Sequence, residues 1–293
     1  MELDLLSIEQ IIGNNRLSIF DKYDITSEVT DFAIALGANV KQNILTNYNL
    51  KNIKGKWWTK TNHIFLDDYV CIINDNNMFS DKVENAYVFH RTAGIRPIIQ
   101  YSKIPIISNE SDKIFYGEYP QYVVDYDKNL ELEELYQNNM LNKTGKMYTT
   151  DSVEWGALYM SFIKREHIEY EYQGKKYIRT ICDKNNGGII LSNGKMIKEW
   201  SKIWIEVKPI EWIVDKEADI AVCKNVIAAG IQFNRGKVED FKDTFIYKFM
   251  NTYLVKDMFD NVSINKEDDN NKEFVSINNK IKTLRKRIDN IRK

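Results

Sequence analysis

Several residue types and patterns are scarce in this chain of 293 residues, and each shortage argues against a class of protein. The three cysteines, Cys71, Cys182 and Cys223, are widely spaced and form no CxxC pair. We therefore expect neither a disulfide framework nor a cysteine-based zinc site. The 41 Lys and Arg residues are balanced by 42 Asp and Glu residues, which leaves a formal net charge of -1. Net charge thus provides no overall attraction to nucleic acid or to a membrane surface.

Long apolar runs are also missing. No window approaches the ~20 apolar residues that a membrane-spanning helix needs. The opening stretch MELDLLSIEQ has no basic segment followed by an apolar one, so we expect no signal peptide. These features predict a soluble protein that is cytoplasmic when made and that keeps its cysteines reduced.

Motifs of catalysis are scarce as well. Neither GxxxxGK[ST] nor GxGxxG occurs, and His63, His90 and His167 lie far apart and outside any HExxH or GxSxG motif. We therefore expect no enzymatic activity, no cofactor and no bound metal. Two alternatives stay open. One is an acid–base or metal site of His63 and His90 with Asp67 and Asp68 nearby, and the other is a glycosidase whose paired carboxylates come from separate strands.

Residues 1–108 have the pattern of a small α+β unit. The stretch ITSEVTDFAIALGAN predicts a helix with Thr26 or Ser27 as its N-cap and Gly37 as its stop. Short strands rich in β-formers follow. Pro97 places the strand IRPIIQYS at the edge of a sheet, because proline cannot donate a ladder hydrogen bond.

Residues 109–260 have the pattern of a second α+β unit. The stretch LELEELYQNNM predicts an amphipathic helix. Its apolar face consists of Leu132, Leu135, Tyr136 and Met140. A Gln-Gly pair and an Asn-Gly pair predict hairpin turns. The run KIWIEVKPIEWIVD alternates and makes Trp204 and Trp212 core residues rather than a sugar-binding platform, and DTFIYKFMNTYL predicts a final helix.

The C-terminal part differs in kind. Residues 261–273 are polar and aperiodic, which predicts a tether. Residues 274–293 carry apolar side chains at spacings of 3 and 4, the pattern of a coiled-coil seam. The seam residues are Phe274, Ile277, Ile281, Leu284, Ile288 and Ile291. Such a short helix is marginal alone, so it predicts a homo-oligomer or a partner protein. The basic residues between the seam positions leave nucleic acid or a membrane surface as less favoured alternatives.

Two adjacent tryptophans, Trp57 and Trp58, stand in the stretch GKWWTKT. Neighbouring residues of a strand point to opposite faces, so one ring is predicted to pack in the core. The favoured interpretation is a scaffold in which Arg96 and Pro97 close the terminal strand over that ring. The alternative is that the second ring stacks against a ligand.

The same residues carry a resemblance to a known family. WWTKT closing on GIRP, followed by YGEYPQ, VKPIEWIVD, IAAGIQFN and DTFIYKFMNTYL, resembles a family of low-GC bacteria and their phages that has no assigned reaction. That family is similar to the formylglycine-generating-enzyme branch of the C-type-lectin-like fold, also called sulfatase-modifying-factor-like. The resemblance covers most of residues 26–258. It implies two C-type-lectin-like units with short antiparallel sheets and flanking helices.

Two departures limit what the resemblance implies for chemistry. The reactive cysteine pair of formylglycine-generating enzymes has no counterpart here, so their oxidase chemistry is not carried over. The Glu-Pro-Asn or Gln-Pro-Asp element of calcium-dependent lectins is also missing. What the resemblance does imply is a scaffold whose segment between WW and the RP strand faces a ligand.

Together these observations predict a non-enzymatic binding or structural protein, phage- or prophage-encoded, that recognises a protein or a glycan. The predicted ligand-contact residues are His63, Phe65, Asp67, Asp68, Asn76, Asn77, Phe79, Tyr87, His90 and Arg91. One alternative is a component of a virion or tail-like particle, such as a head decoration or a tail-associated protein anchored by its C-terminal helix. Another is an enzyme on the same fold with an unrecognised site.

Overall fold

A computed structural model describes residues 1–40, 53–74, 82–91, 93–105, 111–151, 164–182, 188–198 and 200–260. The predicted tether at 261–273 and the predicted seam helix at 274–293 lie outside these residues. The described residues within 1–104 and 111–260 belong to one compact unit. The domain boundary predicted near residue 108 stays a prediction.

The described residues form a mixed α+β structure of mostly antiparallel sheets with few helices, as predicted. The strands are β1 (Ser27–Glu28), β2 (Lys54–Gly55), β3 (Trp57–Asn62), β4 (Tyr69–Ile73), β5 (Val83–Tyr87), β6 (Ile98–Gln100), β7 (Lys113–Val123), β8 (Asn142–Asp151), β9 (Lys164–Tyr172), β10 (Lys175–Ile181), β11 (Lys202–Asp215) and β12 (Ile220–Cys223). The α-helices are α1 (Ile8–Ile11), α2 (Asp31–Ala35), α3 (Tyr126–Gln137), α4 (Phe245–Phe249) and α5 (Val255–Phe259). A π-helical turn, Met250–Leu254, joins α4 to α5, and 3₁₀ turns occupy Ser18–Asp21, Tyr101–Lys103 and Phe241–Asp243.

The main sheet is built around β11. Its strand order is β6-β12-β11-β10-β9-β8, and β7 pairs along the other edge of β11. The first half of β11 pairs with β10 and the last four residues pair with β12. Pro209 falls between these two stretches, at a register shift against β7, and so tolerates its missing N–H. The Gln121 side chain donates to the carbonyl oxygens of Lys208 (2.9 Å) and Pro209 (2.8 Å) at this irregularity.

One face of this sheet is covered by α3. Asp125 caps the helix by accepting a hydrogen bond from the backbone of Lys128 (2.8 Å). Beneath the helix lies an aromatic cluster of Val124, Leu132, Tyr170, Tyr177 and Trp204. The prediction that Met140 belongs to the buried face is wrong, because the chain leaves the helix at Asn139 (φ 56°) and Met140 is exposed.

On the face opposite α3, the main sheet is curved. The rings of Tyr119 on β7 and Tyr148 on β8 lie 5.5 Å apart, although these strands are at different edges of the sheet. Flat strands spaced ~4.8 Å apart would keep these two edges far from each other, so the sheet must curl. Phe32 of α2 fills the curl by contacting Tyr119 (5.8 Å) and His167 (5.4 Å).

Several local predictions can be compared with the structure. The Gln173-Gly174 hairpin loop is confirmed, with positive φ values of 52° and 73°. The position of the strand after Pro97 is also confirmed, because β6 ends the strand order. The prediction that Thr26 or Ser27 is the N-cap of the helix now labelled α2 is wrong. Thr30 caps α2 by accepting from the Ala33 backbone, because the residues just before it pair with β2 as strand β1.

Candidate functional site

The small sheet β3-β4-β5 brings the predicted contact residues of the described part together. His63, Phe65, Asp67 and Asp68 occupy the loop between β3 and β4, and Tyr87, His90 and Arg91 lie at or just after the end of β5. These two segments are neighbours because β4 pairs with β5, and the Val88 N–H donates to the Asp68 carbonyl oxygen (2.9 Å). Asn76, Asn77 and Phe79 lie outside the described residues. We refer to the seven described residues as the contact surface.

The β3–β4 loop ends in an apolar tip made of Ile64, Phe65 and Leu66. The side chains are 82%, 81% and 46% exposed, respectively. The Nδ1 atom of His63 accepts hydrogen bonds from the backbone N–H groups of Phe65 (3.2 Å) and Leu66 (3.1 Å). An accepting Nδ1 places the imidazole proton on Nε2. The histidine thus holds the turn that presents the three apolar side chains.

A row of rings continues from the tip across the sheet, and we call it the aromatic row. Its members are His63, Tyr69, Tyr87, Phe89 and His90. Tyr69 and Tyr87 are direct cross-strand partners whose ring centroids lie 5.4 Å apart. Tyr87 also contacts Phe89 at 4.8 Å and His90 at 6.0 Å. Each ring therefore restricts the position of the next one.

Charge at this site is mainly negative. The Asp67 carboxylate pairs with the Lys237 ammonium at 3.0 Å, and both side chains are well exposed. The hydrogen bond and charge of Asp67 raise the pKa of Lys237, and the charges of Asp68 and Glu239 add to this effect. Three carboxylates thus act on the Lys237 charge, and Asp67 is the one in direct contact with it.

Arg91 forms an ion pair with a residue outside the apolar tip. Its guanidinium forms an ion pair at 2.9 Å with Asp151, whose side chain is fully buried. Asp151 is the last residue of β8, so this pair links the end of the small sheet to the main sheet. The predicted role of Arg91 in ligand contact stays a prediction.

The scaffold residues support the contact surface from below. Trp57 and Trp58 are both fully buried, which means that β3 is covered on both faces. The Arg96 guanidinium lies 5.2 Å from the Trp57 ring, and the Phe233 ring lies 5.3 Å from that of Trp58. Ligand stacking on either indole would thus require the core to open.

The remaining scaffold residues lie in the main sheet. Pro97 precedes β6 and its carbonyl oxygen accepts from the Cys223 N–H (2.9 Å). Trp204 belongs to the cluster under α3. Trp212 donates from Nε1 to the Tyr116 carbonyl oxygen (2.8 Å) and stacks near Phe259.

Sequence reasoning missed four members of this site, Ile64, Leu66, Tyr69 and Phe89. The signal for the tip was present as three consecutive apolar residues, IFL, between His63 and Asp67. A run of this kind at a strand end is normally assigned to the core. Only the short turn between β3 and β4 places it in solvent.

Buried titratable groups form a separate cluster inside the curl of the main sheet. The Glu169 carboxylate accepts from Tyr148 Oη (2.5 Å) and Thr144 Oγ1 (2.8 Å). His167 lies 2.9 Å from Thr150 Oγ1, and burial lowers its pKa to about 3. These side chains satisfy one another, which is the arrangement expected of a polar core.

Within the described ranges, no group of three or more His, Cys, Asp or Glu residues could hold a metal ion. The part of the chain that the structure describes also contains no helix long and apolar enough to cross a membrane. Comparison of the chain with protein-family models, with curated proteins and with solved structures gives no match.

Proposed function

We propose that this chain is a non-enzymatic binding protein that uses the contact surface to hold a protein ligand. The apolar tip carries the proposal, because Ile64 and Phe65 are each more than four-fifths exposed. Contiguous exposed apolar side chains mark interaction sites, and large apolar side chains are typical anchors at the centre of an interface. Aliphatic side chains at the tip favour a protein over a sugar as the ligand.

The rigidity of the site supports the same proposal. His63 ties down the backbone of the tip through two hydrogen bonds, and the aromatic row fixes the surface behind it. A surface that is already ordered loses less conformational entropy when it binds. The tip is therefore built to insert into a partner rather than to fold upon it.

The charges beside the apolar tip indicate which charges the ligand protein should carry. The charges of Asp67, Asp68 and Glu239 all act on Lys237, so carboxylates outnumber the one ammonium group here. Complementary surfaces pair opposite potentials. The ligand that fits is a protein with an apolar pocket whose rim carries lysine or arginine residues.

The proposals for the fold and the origin of the protein rest on the resemblance of its sequence motifs to those of a known family. We propose that the small sheet and the main sheet belong to C-type-lectin-like units, and that the chain is encoded by a phage or prophage. A second candidate function, a component of a virion or tail-like particle, rests on the heptad spacing of residues 274–293. An enzyme on the same fold would be recognised by a turnover that is lost when a single acidic or histidine residue is replaced.

The double variant Ile64→Ser/Phe65→Ser is expected to weaken ligand binding about thirtyfold or more, because loss of a central anchor costs about 2 kcal/mol or more. The ligand is first isolated with the immobilised full chain from a lysate of the source cells and identified by mass spectrometry. The purified ligand is then titrated by calorimetry against the wild-type chain and the variant.

Phe115→Ser provides the matched control. Phe115 is also a well-exposed phenylalanine (69%), but it lies on β7 and outside the contact surface. It should bind the ligand as tightly as the wild type does. Equal binding by the tip variant and the control would contradict the proposal, and equal urea midpoints would show that both variants fold.

The proposed oligomer has its own test. Ile281→Asp/Leu284→Asp places two charges on the seam and is expected to reduce the native mass of the full chain to that of a monomer. Asn279→Asp/Thr283→Asp adds the same charges off the seam and should leave the mass unchanged. Light scattering after size exclusion measures both, and a wild-type monomer would refute self-assembly through residues 274–293.

A further inference from the structure

A groove of about 500 Å³ opens where the chain passes from the end of α3 into β8. Its floor is formed by Tyr136, Leu141 and Tyr170, which come from α3, the connection to β8, and β9. Its volume lies within the range of about 300–1,000 Å³ that is usual for ligand pockets. The groove shares no residue with the contact surface, so a ligand bound here would be independent of the proposed function.

The floor is held rigidly. The Tyr136 ring lies edge-on to both Tyr170 and Trp204, at 5.8 Å in each case. The guanidinium of Arg179 lies 4.6 Å from the Tyr136 ring and is itself fixed by two hydrogen bonds to Glu133, of 2.8 Å and 2.7 Å. Because Arg179 lies over one face of the Tyr136 ring, a flat apolar ligand must pack against the other face, which these contacts already hold in position.

The rim is made of amides and one cation. Gln137, Asn139, Asn142 and Lys143 line it, and all four side chains are exposed. Gln137 donates from Nε2 to Glu133 (2.9 Å), which leaves its carbonyl oxygen for a ligand. The amide groups of Asn139 and Asn142 form no hydrogen bond with other described residues, so both their donors and their acceptors face the groove mouth or solvent.

This combination selects a class of ligand. A pyranose ring has an apolar C–H face that packs on tyrosine, and adjacent hydroxyl groups that each donate and accept. Amide side chains match such hydroxyls because each one offers both a donor and an acceptor. A phosphorylated ligand would need more positive charge than Lys143 alone supplies. We propose that this groove binds a neutral oligosaccharide, with a sugar ring on Tyr136 and its hydroxyls on the Asn139 and Asn142 amides.

The test uses the full chain and defined saccharides. Maltohexaose, cellohexaose, chitohexaose and mannohexaose are titrated by saturation-transfer NMR and calorimetry, and a glycan array extends the set. At least one saccharide should bind. Asn142→Ala is expected to weaken that binding about tenfold, since one or two hydrogen bonds to hydroxyls are lost.

Asn138→Ala is the matched control. Asn138 precedes Asn139 in the chain, and its side chain donates to the Glu134 carbonyl oxygen (3.0 Å) instead of lining the groove. It should bind the saccharide as the wild type does, and so should the Ile64→Ser/Phe65→Ser variant. Absence of binding across the array, or equal losses for Asn138→Ala and Asn142→Ala, would overturn the proposal.

Discussion

Replacement of Arg96 by alanine is expected to lower the free energy of unfolding by about 3–5 kcal/mol, because it removes charge-assisted hydrogen bonds and leaves a cavity. Arg96 is one of the largest fully buried side chains. It donates from Nε to the Cys223 carbonyl oxygen (2.9 Å) and from Nη1 to that of Ile25 (3.1 Å). Its guanidinium also lies against the Trp57 ring.

The charge of Arg96 is retained in spite of its burial. Loss of solvation lowers its pKa to about 10, which still leaves the guanidinium protonated at neutral pH. Arg96→Lys keeps a charge but cannot span two carbonyl groups while stacking on an indole, so we expect it to lose about half as much stability as the alanine variant. Urea unfolding followed by circular dichroism measures both.

Arg16→Ala is the control for the loss of an arginine. Its side chain is 41% exposed and pairs with an exposed Asp21, so its removal should cost less than about 1 kcal/mol. If Arg96→Ala lost as little stability as Arg16→Ala, the contacts of Arg96 with Trp57 of β3 and Cys223 of β12 would not stabilise the fold.

Replacement of Asp257 by asparagine is expected to stabilise the protein at pH 8 by about 2–4 kcal/mol, because the carboxylate must be charged at that pH although it is buried. Burial raises the pKa of Asp257 to about 7, against a hydrogen bond from the Thr149 N–H (2.6 Å) and the charges of Lys146 and Lys256, which lower it. The folded state thus binds the proton more tightly than the unfolded chain does. Stability from this group is complete below about pH 4 and is lost as the pH rises to about 7.

Asparagine removes this loss because it is neutral at every pH and its amide oxygen still accepts from the Thr149 N–H.

His167 changes the stability of the protein with pH in the opposite direction. Its pKa falls from 6.5 to about 3 on burial, so its contribution is complete above pH 6.5 and is lost as the pH falls toward 3. The two slopes oppose each other in the wild type between about pH 4 and 6.5.

The Asp257→Asn variant should therefore lose the opposing Asp257 contribution, so that its stability falls more steeply than that of the wild type on acidification below pH 6.5. Urea midpoints measured from pH 4 to pH 8 provide the test. Asp127→Asn, which removes an exposed carboxylate from α3 that does not act on Asp257, should leave the wild-type profile unchanged. A variant at Asp257 with the wild-type profile would show that this carboxylate is charged and solvated in the folded protein.

Features that depend on a few neighbouring residues were predicted correctly from the sequence. Gly37 ends α2 with a φ of 102°, and Gln173-Gly174 forms the β9–β10 turn. Pro97 precedes a strand at the end of the sheet order. Each of these depends on the backbone preference of one or two residues, which a sequence shows directly.

Features that depend on distant partners could not be predicted in this way. The doublet Trp57-Trp58 was expected to have one core ring, yet both are buried, because Arg96 and Phe233 cover the two faces of β3. The ten predicted contact residues included Phe65 but not Ile64 or Leu66. An apolar run has the same pattern whether it enters a core or caps a turn, and only the packing around it decides between the two.

By itself the sequence determined the mixed α+β class, the Gln173-Gly174 turn and the end of α2 at Gly37, since these follow from local backbone energies and side-chain periodicity. The tertiary structure alone decided which apolar side chains stay in solvent, that Arg91 pairs with a buried Asp151, and that Tyr136 and the nearby amides share a groove. The physical reason is that burial and ion pairing are set by residues brought together over long sequence separations. Their free energy depends on the whole packed arrangement rather than on any single stretch of the chain.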